Sequence, residues 1–212
     1  MEYHTELHGF VHRFLPGAPG MPTLLLLHGT GGDENDLVEV GGLVLPGASL
    51  LLPRGKVLEN GMSRFFRRFA EGVFDLEDVR LRAEELAGFV KAATATYGRE
   101  HEKLIAVGYS NGANMAGALL LLYPQALSAA VLFHAMVTIA PEPPPALGGK
   151  RVLLTGGRQD PLIPPEETER LGALLRSAGA AVDLIWQPGG HRLSRPEIEA
   201  ARDWMRGLDT ED

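Results

Sequence analysis

The sequence has no cysteine, and this absence excludes disulfide bonds, thiolate metal ligands and a cysteine nucleophile together. It also has no run of about 18 apolar residues, so no membrane-spanning helix is expected. Residues 1–4 lack the basic and apolar segments that begin a signal peptide. Together these absences predict a cytoplasmic protein.

An excess of positive charge is missing as well. Lys and Arg number 20, whereas Asp and Glu number 27, and the formal net charge is -7. Nucleic acids and anionic membrane surfaces both bind basic patches, so neither is an expected partner. The 45% hydrophobic and 22% charged residues are typical of a globular protein, and 212 residues fit a single domain over residues 1–212. A monomer and a homodimer both stay open.

Buried strands alternate with helical patterns along most of the chain. A continuous apolar run, which is typical of a parallel strand covered on both faces, occurs at residues 23–27. Further strands are predicted at residues 49–52, 104–107, 129–133, 151–155 and 181–186. Apolar residues spaced by three and four predict helices from Asp78 to Gly98 and over residues 166–178 and 195–205. The alternation predicts one mostly parallel sheet with helices on both faces, and residues 3–15 predict two further short strands.

The strand at residues 104–107 runs into the sequence Gly-Tyr-Ser-Asn-Gly, with Ser110 between Gly108 and Gly112. This is the pattern of a nucleophile elbow, a sharp strand-to-helix turn that lifts a serine hydroxyl above the sheet edge. Glycine is needed where strand and helix approach too closely for a Cβ atom. The pattern is short, and an ordinary turn in which Ser110 caps the helix would also satisfy it.

Two further residue types that hydrolysis needs follow other predicted strands. Asp160 and His191 come after the strands at 151–155 and 181–186, and the carboxyl ends of parallel strands meet at one edge of the sheet. An imidazole can take the proton of a serine hydroxyl, and a carboxylate can hold that imidazole in the required tautomer. The chain order Ser, Asp, His is the order of α/β-hydrolases, so we predict a catalytic triad of Ser110, Asp160 and His191. His134 and Asp183 are the next candidates.

Other kinds of site fit the sequence less well. The glycine-rich turn after His28 lacks the third glycine of a dinucleotide-binding fingerprint, since Glu34 occupies that position. Three N-terminal histidines, spaced four apart, lie in a segment interrupted by glycine, which disfavours a metal site there. A dinucleotide site at this turn and a metal site at these histidines are therefore not expected.

Residues 54–77 form a long connection between predicted elements. It is predicted to be irregular apart from a turn at Asn60 and Gly61, and it holds three phenylalanines among three arginines at 64–69. One interpretation is a flap over the site, in which Arg54, Arg64, Phe65 and Phe66 contact the substrate. The alternative is a cover whose phenylalanines patch the core while its arginines face water. Both stay open.

The motifs as a set resemble those of a known family. The stretches at 27–34, 108–113, 160–164 and 189–191 are similar to motifs of the phospholipase/carboxylesterase family of small bacterial α/β-hydrolases. The resemblance implies an α/β-hydrolase sheet of about seven or eight strands, no large cap domain, and no metal or organic cofactor. It also implies an oxyanion hole formed by the backbone N–H groups of Thr30 and Asn111. Dienelactone hydrolases resemble this fold too, but they usually rely on a cysteine.

The expected function is that of a serine carboxylesterase on a small-molecule ester with a short acyl group. The connection from His134 to Lys150 is too short for a lid domain, which disfavours a deep acyl tunnel. An acyl thioesterase or lysophospholipase is the alternative enzyme, although relatives that act on acylated proteins usually carry glutamine where this chain has Asn111. A hydrolase-fold binding protein without turnover is the alternative from another class.

Overall fold

The computed structural model describes residues 3–208, without the side chains of residues 3–5 and 102. Its strands are β1 (Tyr3–Leu7), β2 (Phe10–Leu15), β3 (Thr23–Leu27), β4 (Ser49–Pro53), β5 (Val57–Glu59), β6 (Met62–Arg64), β7 (Arg68–Ala70), β8 (Val73–Phe74), β9 (Leu104–Tyr109), β10 (Ala129–Phe133), β11 (Arg151–Gly157) and β12 (Ala181–Gln187). The α-helices are α1 (Val38–Val44), α2 (Leu76–Thr96), α3 (Asn111–Leu122), α4 (Pro165–Ser177) and α5 (Arg195–Arg206).

Eight of these strands form the central sheet, in the spatial order β1-β2-β4-β3-β9-β10-β11-β12. The six strands from β4 to β12 in that order are parallel, and β2 pairs antiparallel with both β1 and β4. The prediction of a mostly parallel sheet of about seven or eight strands is thereby confirmed. Because β9, β10, β11 and β12 are neighbours, the loops that leave their carboxyl ends lie side by side.

Each face of the sheet is covered by helices, as the apolar runs predict. Every residue of β3 and β10 is buried, which is the pattern expected for a strand packed on both faces. One core cluster includes Phe89 of α2, and the cluster on the other face includes Met205 of α5. Burying a side chain such as Phe89 stabilises the folded state by roughly 2–3 kcal/mol.

The helix predicted from Asp78 begins two residues earlier in the structure, at Leu76. Asp75 is the residue that decides this, since its carboxylate accepts a hydrogen bond from the backbone N–H of Asp78 and so caps the helix. The helix ends at Thr96, and Gly98 follows with a left-handed φ of +61°. No helix in residues 3–208 is long and apolar enough to cross a membrane.

The connection at 54–77 is more ordered than predicted. It contains two small antiparallel hairpins outside the main sheet, β5–β6 and β7–β8. Asn60 and Gly61 form the two-residue turn of the first hairpin, with φ values of +52° and +81°. The strands are only two or three residues long, so alternation between apolar and polar residues could not reveal them.

This connection is also anchored firmly to the sheet. The backbone N–H of Gly55 donates to Nε2 of His28 at 2.9 Å, and that of Phe65 donates to Oδ1 of Asn111 at 2.7 Å. Both contacts are buried, and losing the acceptor of a buried N–H costs about 1–3 kcal/mol. The connection is therefore a fixed wall beside the end of β9.

Candidate active site

Ser110 lies at a strained turn between β9 and α3. Its φ of +52° is in the left-handed region, which costs a residue with a Cβ on the order of 1–3 kcal/mol. The turn also needs its glycines, because a Cβ on Gly112 would lie 2.0 Å from the backbone oxygen of Leu27. Ser110 stands at the N-cap position of α3 but makes no side-chain capping bond. Its hydroxyl is thus available to another residue. The interpretation of Ser110 as an ordinary helix cap does not explain why the hydroxyl makes no capping bond.

The structure brings together the three residues of the predicted triad. Oγ of Ser110 lies 2.8 Å from Nε2 of His191, and Nδ1 of His191 lies 2.7 Å from Oδ2 of Asp160. When Nδ1 carries the imidazole proton and donates it to Asp160, Nε2 accepts from the serine hydroxyl. The residues come from the loops after β9, β11 and β12, so the parallel topology explains their meeting.

Asp160 is held as a carboxylate. Its side chain is buried, which raises the pKa, but hydrogen bonds from His191 and from the backbone N–H groups of Leu162 and Ile163 bring the pKa below its usual value. The two backbone groups both donate to Oδ1, at 2.9 and 3.1 Å. They leave Oδ2 to face His191. Asp160 is consequently ionised at neutral pH.

His134, the alternative base, lies elsewhere in the same cluster. Its Nδ1 is 3.0 Å from Oδ2 of Asp160, and its Nε2 is 3.0 Å from Oε1 of Glu197. Nδ1 is hydrogen-bonded to Asp160, whereas Nε2 lies within ion-pair distance of Glu197 but has no aligned hydrogen bond among the described residues. His191 is the histidine that faces Ser110. The other alternative, Asp183, accepts a hydrogen bond from Trp204 on the outside of the sheet.

Two residues that complete this cluster were not predicted. Glu197 is 1% exposed and stands in the first turn of α5, where it forms a capping box with Ser194. The pattern Ser-x-x-Glu at 194–197 is a readable helix start, but nothing in it indicates a partner histidine. The hydroxyl of Tyr109 donates to the backbone carbonyl of His191 at 3.0 Å. That contact joins two distant loops and leaves no local pattern.

A pocket opens beside Ser110 as two adjoining clefts, with volumes of about 30 and 260 Å³. Its wall is part apolar and part polar, with the apolar side chains Phe74, Met136, Leu162 and Ile163 and the polar or charged side chains Thr30, Arg64, Arg68 and Glu71. Small-molecule sites typically measure 300–1,000 Å³, so each of these clefts is smaller than a typical site.

Arg64 and Arg68 stand in this wall with their charges already matched. The Arg64 guanidinium is buried and donates to Oγ1 of Thr30 and the backbone carbonyl of Phe66, and burial lowers its pKa from the usual value. Arg68 donates to both oxygens of Glu59 and to Glu71. The wall consequently presents little net charge to a ligand.

Three of the four residues expected to bind substrate lie away from the pocket. Phe65 and Phe66 are 3% and 0% exposed and pack in the core, and neither lines the pocket. Arg54 makes a two-pronged ion pair with Glu34, at 2.6 and 2.7 Å. The structure agrees with the interpretation that these phenylalanines cover the core. Burying a large aromatic ring in the core stabilises the folded state more than leaving it exposed at a small polar pocket. Of the four residues, only Arg64 lines the pocket.

Thr30 and Asn111, which the family resemblance assigns to an oxyanion hole, both border the pocket next to Ser110. Asn111 is the first residue of α3, and the first N–H groups of a helix have no partner within it. Between residues 3 and 208, no backbone hydrogen bond uses the N–H of Thr30. The side chains are occupied, since Oδ1 of Asn111 accepts from Phe65 and Oγ1 of Thr30 accepts from Arg64. Backbone donors thus remain available beside the serine.

One group of metal-ligating residue types occurs within the described part of the chain, formed by His134, Asp160 and His191. Its ligand atoms face one another at 2.7–3.0 Å, as hydrogen-bonded donors and acceptors do. His191 also contacts the hydroxyl of Ser110 through its other ring nitrogen, as a triad histidine does. The group is better described as a hydrogen-bonded cluster.

A mostly parallel sheet that carries a serine elbow and a neighbouring histidine and aspartate defines the protein class: it is an α/β-hydrolase fold without a large cap. A family model for the dienelactone hydrolase family matches residues 70–202, and the chain belongs to that family. The Bacillus subtilis protein named "Putative hydrolase MhqD" is 48% identical over 183 residues, which cover 86% of this chain and 92% of that protein.

Solved structures give the same assignment. The Bacillus cereus carboxylesterase is 45% identical, with a TM-score of 0.90 over 92% of each chain. A carboxylesterase from Mesorhizobium loti is 31% identical, with a TM-score of 0.89 over 96% of this chain and 97% of that one. The prediction of a small α/β-hydrolase of the esterase type is confirmed. Setting the dienelactone hydrolases apart for their cysteine was too strict, because this cysteine-free chain matches that family with Ser110 at the elbow.

Proposed function

We propose that the protein is a serine carboxylesterase that hydrolyses small esters with short acyl groups through an acyl-enzyme intermediate. The observation that carries the proposal is the continuous contact from Ser110 through His191 to Asp160, at 2.8 and 2.7 Å, beside a pocket. The family and the carboxylesterase relatives support hydrolysis in general.

In the first half of the reaction, Oγ of Ser110 attacks the carbonyl carbon of the ester while Nε2 of His191 takes the hydroxyl proton. The resulting tetrahedral intermediate carries a negative oxygen, which the backbone N–H groups of Thr30 and Asn111 would stabilise. When the ester C–O bond breaks, His191 gives its proton to the departing alcohol. Asp160 stabilises the imidazolium that exists between these two transfers.

In the second half, water attacks the acyl carbon while His191 again takes a proton. The second tetrahedral intermediate collapses, the acid leaves, and the proton returns to Oγ of Ser110. Each half of the reaction therefore starts with Nε2 of His191 ready to take a proton, and the 2.8 Å contact between Nε2 and Oγ of Ser110 supports this role.

The pocket supports the proposed substrate class by its size and its charge. The clefts beside Ser110 are small, which favours a short acyl group, and the connection from His134 to Lys150 is too short to add a lid domain. Arg64 and Arg68 are balanced by Glu59 and Glu71, which favours neutral esters over anionic ones.

The test combines covalent labelling with turnover. A fluorophosphonate probe and p-nitrophenyl acetate are applied to the wild-type chain, to Ser110→Ala and to Ser177→Ala, a control serine on α4 whose hydroxyl bonds only the carbonyl of Leu174. We expect labelling and turnover in the wild type and the control. Ser110→Ala should remove both, with a loss in kcat of several orders of magnitude.

The other candidate functions give different results in the same experiments. A binding protein without turnover would leave the wild type unlabelled and inactive. A thioesterase or lysophospholipase would be labelled at Ser110 but would prefer thioesters or long acyl chains. A phosphonyl group found by mass spectrometry on any other residue would contradict the proposal.

A further inference from the structure

Behind the triad lies a second histidine that the proposed reaction does not use. His134 follows β10 directly, is 1% exposed and has a φ of +54°. A left-handed backbone is uncommon for residues other than glycine and costs about 1–2 kcal/mol. The strain persists because the imidazole is held between two buried carboxylates, Asp160 on one side and Glu197 on the other.

Both oxygens of the Glu197 carboxylate already accept hydrogen bonds. Its Oε1 accepts from the hydroxyl of Thr155 at 2.7 Å, and its Oε2 accepts from both the N–H and the hydroxyl of Ser194, at 3.0 and 2.8 Å. Oε1 also faces Nε2 of His134 at 3.0 Å. Hydrogen-bond donors to both oxygens favour the ionised carboxylate. They hold the pKa of Glu197 below its usual value, although burial raises it.

The charge of His134 follows from its two neighbours. Its Nδ1 must donate to Asp160, whose carboxylate can only accept. In a neutral ring, the unprotonated Nε2 would then lie 3.0 Å from a carboxylate oxygen of Glu197. A proton on Nε2 replaces that repulsion with an ion pair, which favours the cationic ring. Burial lowers the pKa of His134, but its contacts with Glu197 and Asp160 raise it above the ordinary value.

The remaining groups around His134 are His191 and Tyr109. The two imidazole rings lie 5.2 Å apart, and the Tyr109 ring lies 6.0 Å away with its edge toward His134. The cluster of Asp160, His134 and Glu197 thus carries two negative charges and one positive charge. One net negative charge is left, which is the charge needed opposite the imidazolium of His191.

We propose that His134, as a cation anchored by Glu197, is a positioning residue that holds Oδ2 of Asp160 in place for His191. The same oxygen contacts both histidines, at 3.0 Å from His134 and 2.7 Å from His191. With His134 and the two backbone donors to Oδ1, both oxygens of the carboxylate have contacts that fix its orientation toward His191. This role rests on the proposed esterase function, since it acts through His191.

The experiment measures kcat and KM for p-nitrophenyl acetate in three variants of the full chain. The measurements cover the pH range in which each variant is folded. Glu197→Gln removes the charge but keeps the capping box, which accepts either residue. His134→Asn keeps a donor for Asp160 without a cation. Glu199→Gln is the matched control on the exposed side of α5, where Glu199 forms an ion pair with Arg195.

We expect Glu197→Gln and His134→Asn to lower kcat about tenfold or more, with KM changed less than about twofold, because the loss affects the transition state rather than binding. Without Glu197, the pKa of His134 falls, so the decline of kcat at alkaline pH should move to lower pH in Glu197→Gln. Glu199→Gln should match the wild type. Thermal unfolding identifies any variant that is not folded at the assay temperature.

A second measurement does not depend on activity. In the chain labelled with ¹⁵N-histidine, the resonances lost in His134→Asn identify His134, and we expect both of its ring nitrogens to be protonated at pH 7. A neutral His134 would overturn the proposal, as would a folded Glu197→Gln with unchanged kcat and pH profile. Failure of the proposed function is distinct, since the wild type itself would then lack turnover while the NMR measurement still reports the charge of His134.

Discussion

The hydroxyl of Tyr109 donates a hydrogen bond of 3.0 Å to the backbone carbonyl of His191. Tyr109 is the last residue of β9 and immediately precedes Ser110, so one short segment carries the serine and also holds the loop of the histidine. The two rings lie 5.6 Å apart and are tilted by 37°. The separation of Ser110 and His191 therefore depends on a contact that is not part of the triad.

Tyr109→Phe tests this dependence. Removing one hydrogen bond costs about 1 kcal/mol, so we expect a modest loss of stability and a fall in kcat of up to about tenfold, with KM nearly unchanged. Tyr123→Phe is a suitable control, because no hydrogen bond within residues 3–208 uses its hydroxyl. Steady-state kinetics of the two variants measure this effect. Equal kcat values would show that the loop of His191 keeps its position without the hydrogen bond from Tyr109.

Gly112 and Gly117 lie on the same helix but tolerate a side chain differently. A Cβ at Gly112 would meet the backbone of Leu27 at 2.0 Å, whereas one at Gly117 would lie 3.8 Å from a side-chain atom of Leu132. We expect Gly112→Ala to lose about 3 kcal/mol or more, and Gly117→Ala to be neutral or to gain up to about 1 kcal/mol. Urea unfolding of the two variants measures the difference. A stable Gly112→Ala would mean that α3 can shift away from β3.

Arg54 is predicted to affect stability rather than substrate binding, because its guanidinium is paired with Glu34. Burial raises the pKa of Glu34, but the hydrogen bonds from Arg54 bring it below the ordinary value of 4.5. A lowered carboxylate pKa stabilises the folded state above the unfolded pKa, and this contribution is lost as the pH falls through the folded pKa.

We therefore expect Arg54→Ala to lower the free energy of unfolding by about 1 kcal/mol at pH 7, since Arg54 is partly exposed, and by less as the pH falls below 4.5. KM for p-nitrophenyl acetate should not change. Arg195→Ala, which breaks the exposed pair with Glu199, serves as the control and should cost less. A raised KM with unchanged stability would instead support the prediction that Arg54 contacts the substrate.

Acyl chain length and charge test the pocket directly. In a series of p-nitrophenyl esters, kcat/KM should peak at about two to six carbons, because each further methylene, worth roughly 0.8 kcal/mol when buried, would stay in water. At equal length, a neutral butyrate ester should react faster than a hemisuccinate ester, whose carboxylate meets Arg64 and Arg68 already paired. An optimum at twelve or more carbons would favour the lysophospholipase or thioesterase alternative.

How far the sequence could predict this site depends on how local each signal is. The elbow could be predicted because its glycines and serine are adjacent in the chain and their spacing follows from the close approach of α3 to β3. Asp160 and His191 could be placed near Ser110 because parallel strands end at one edge of a sheet. The hairpins at 57–64 and 68–74 could not be predicted, because strands of two or three residues are too short to show an alternation of apolar and polar residues.

The residue types, the parallel topology and the order of Ser110, Asp160 and His191 were determined by the sequence itself, since each depends on apolar runs and turns within a few residues. Tertiary structure alone decided which histidine faces the serine and that Glu197 lies beside the other one. His134 and His191 both follow strands of the sheet, so their local patterns are alike. They differ in where their backbones turn and which distant side chains surround them, and those positions result from the packing of the whole sheet and its helices.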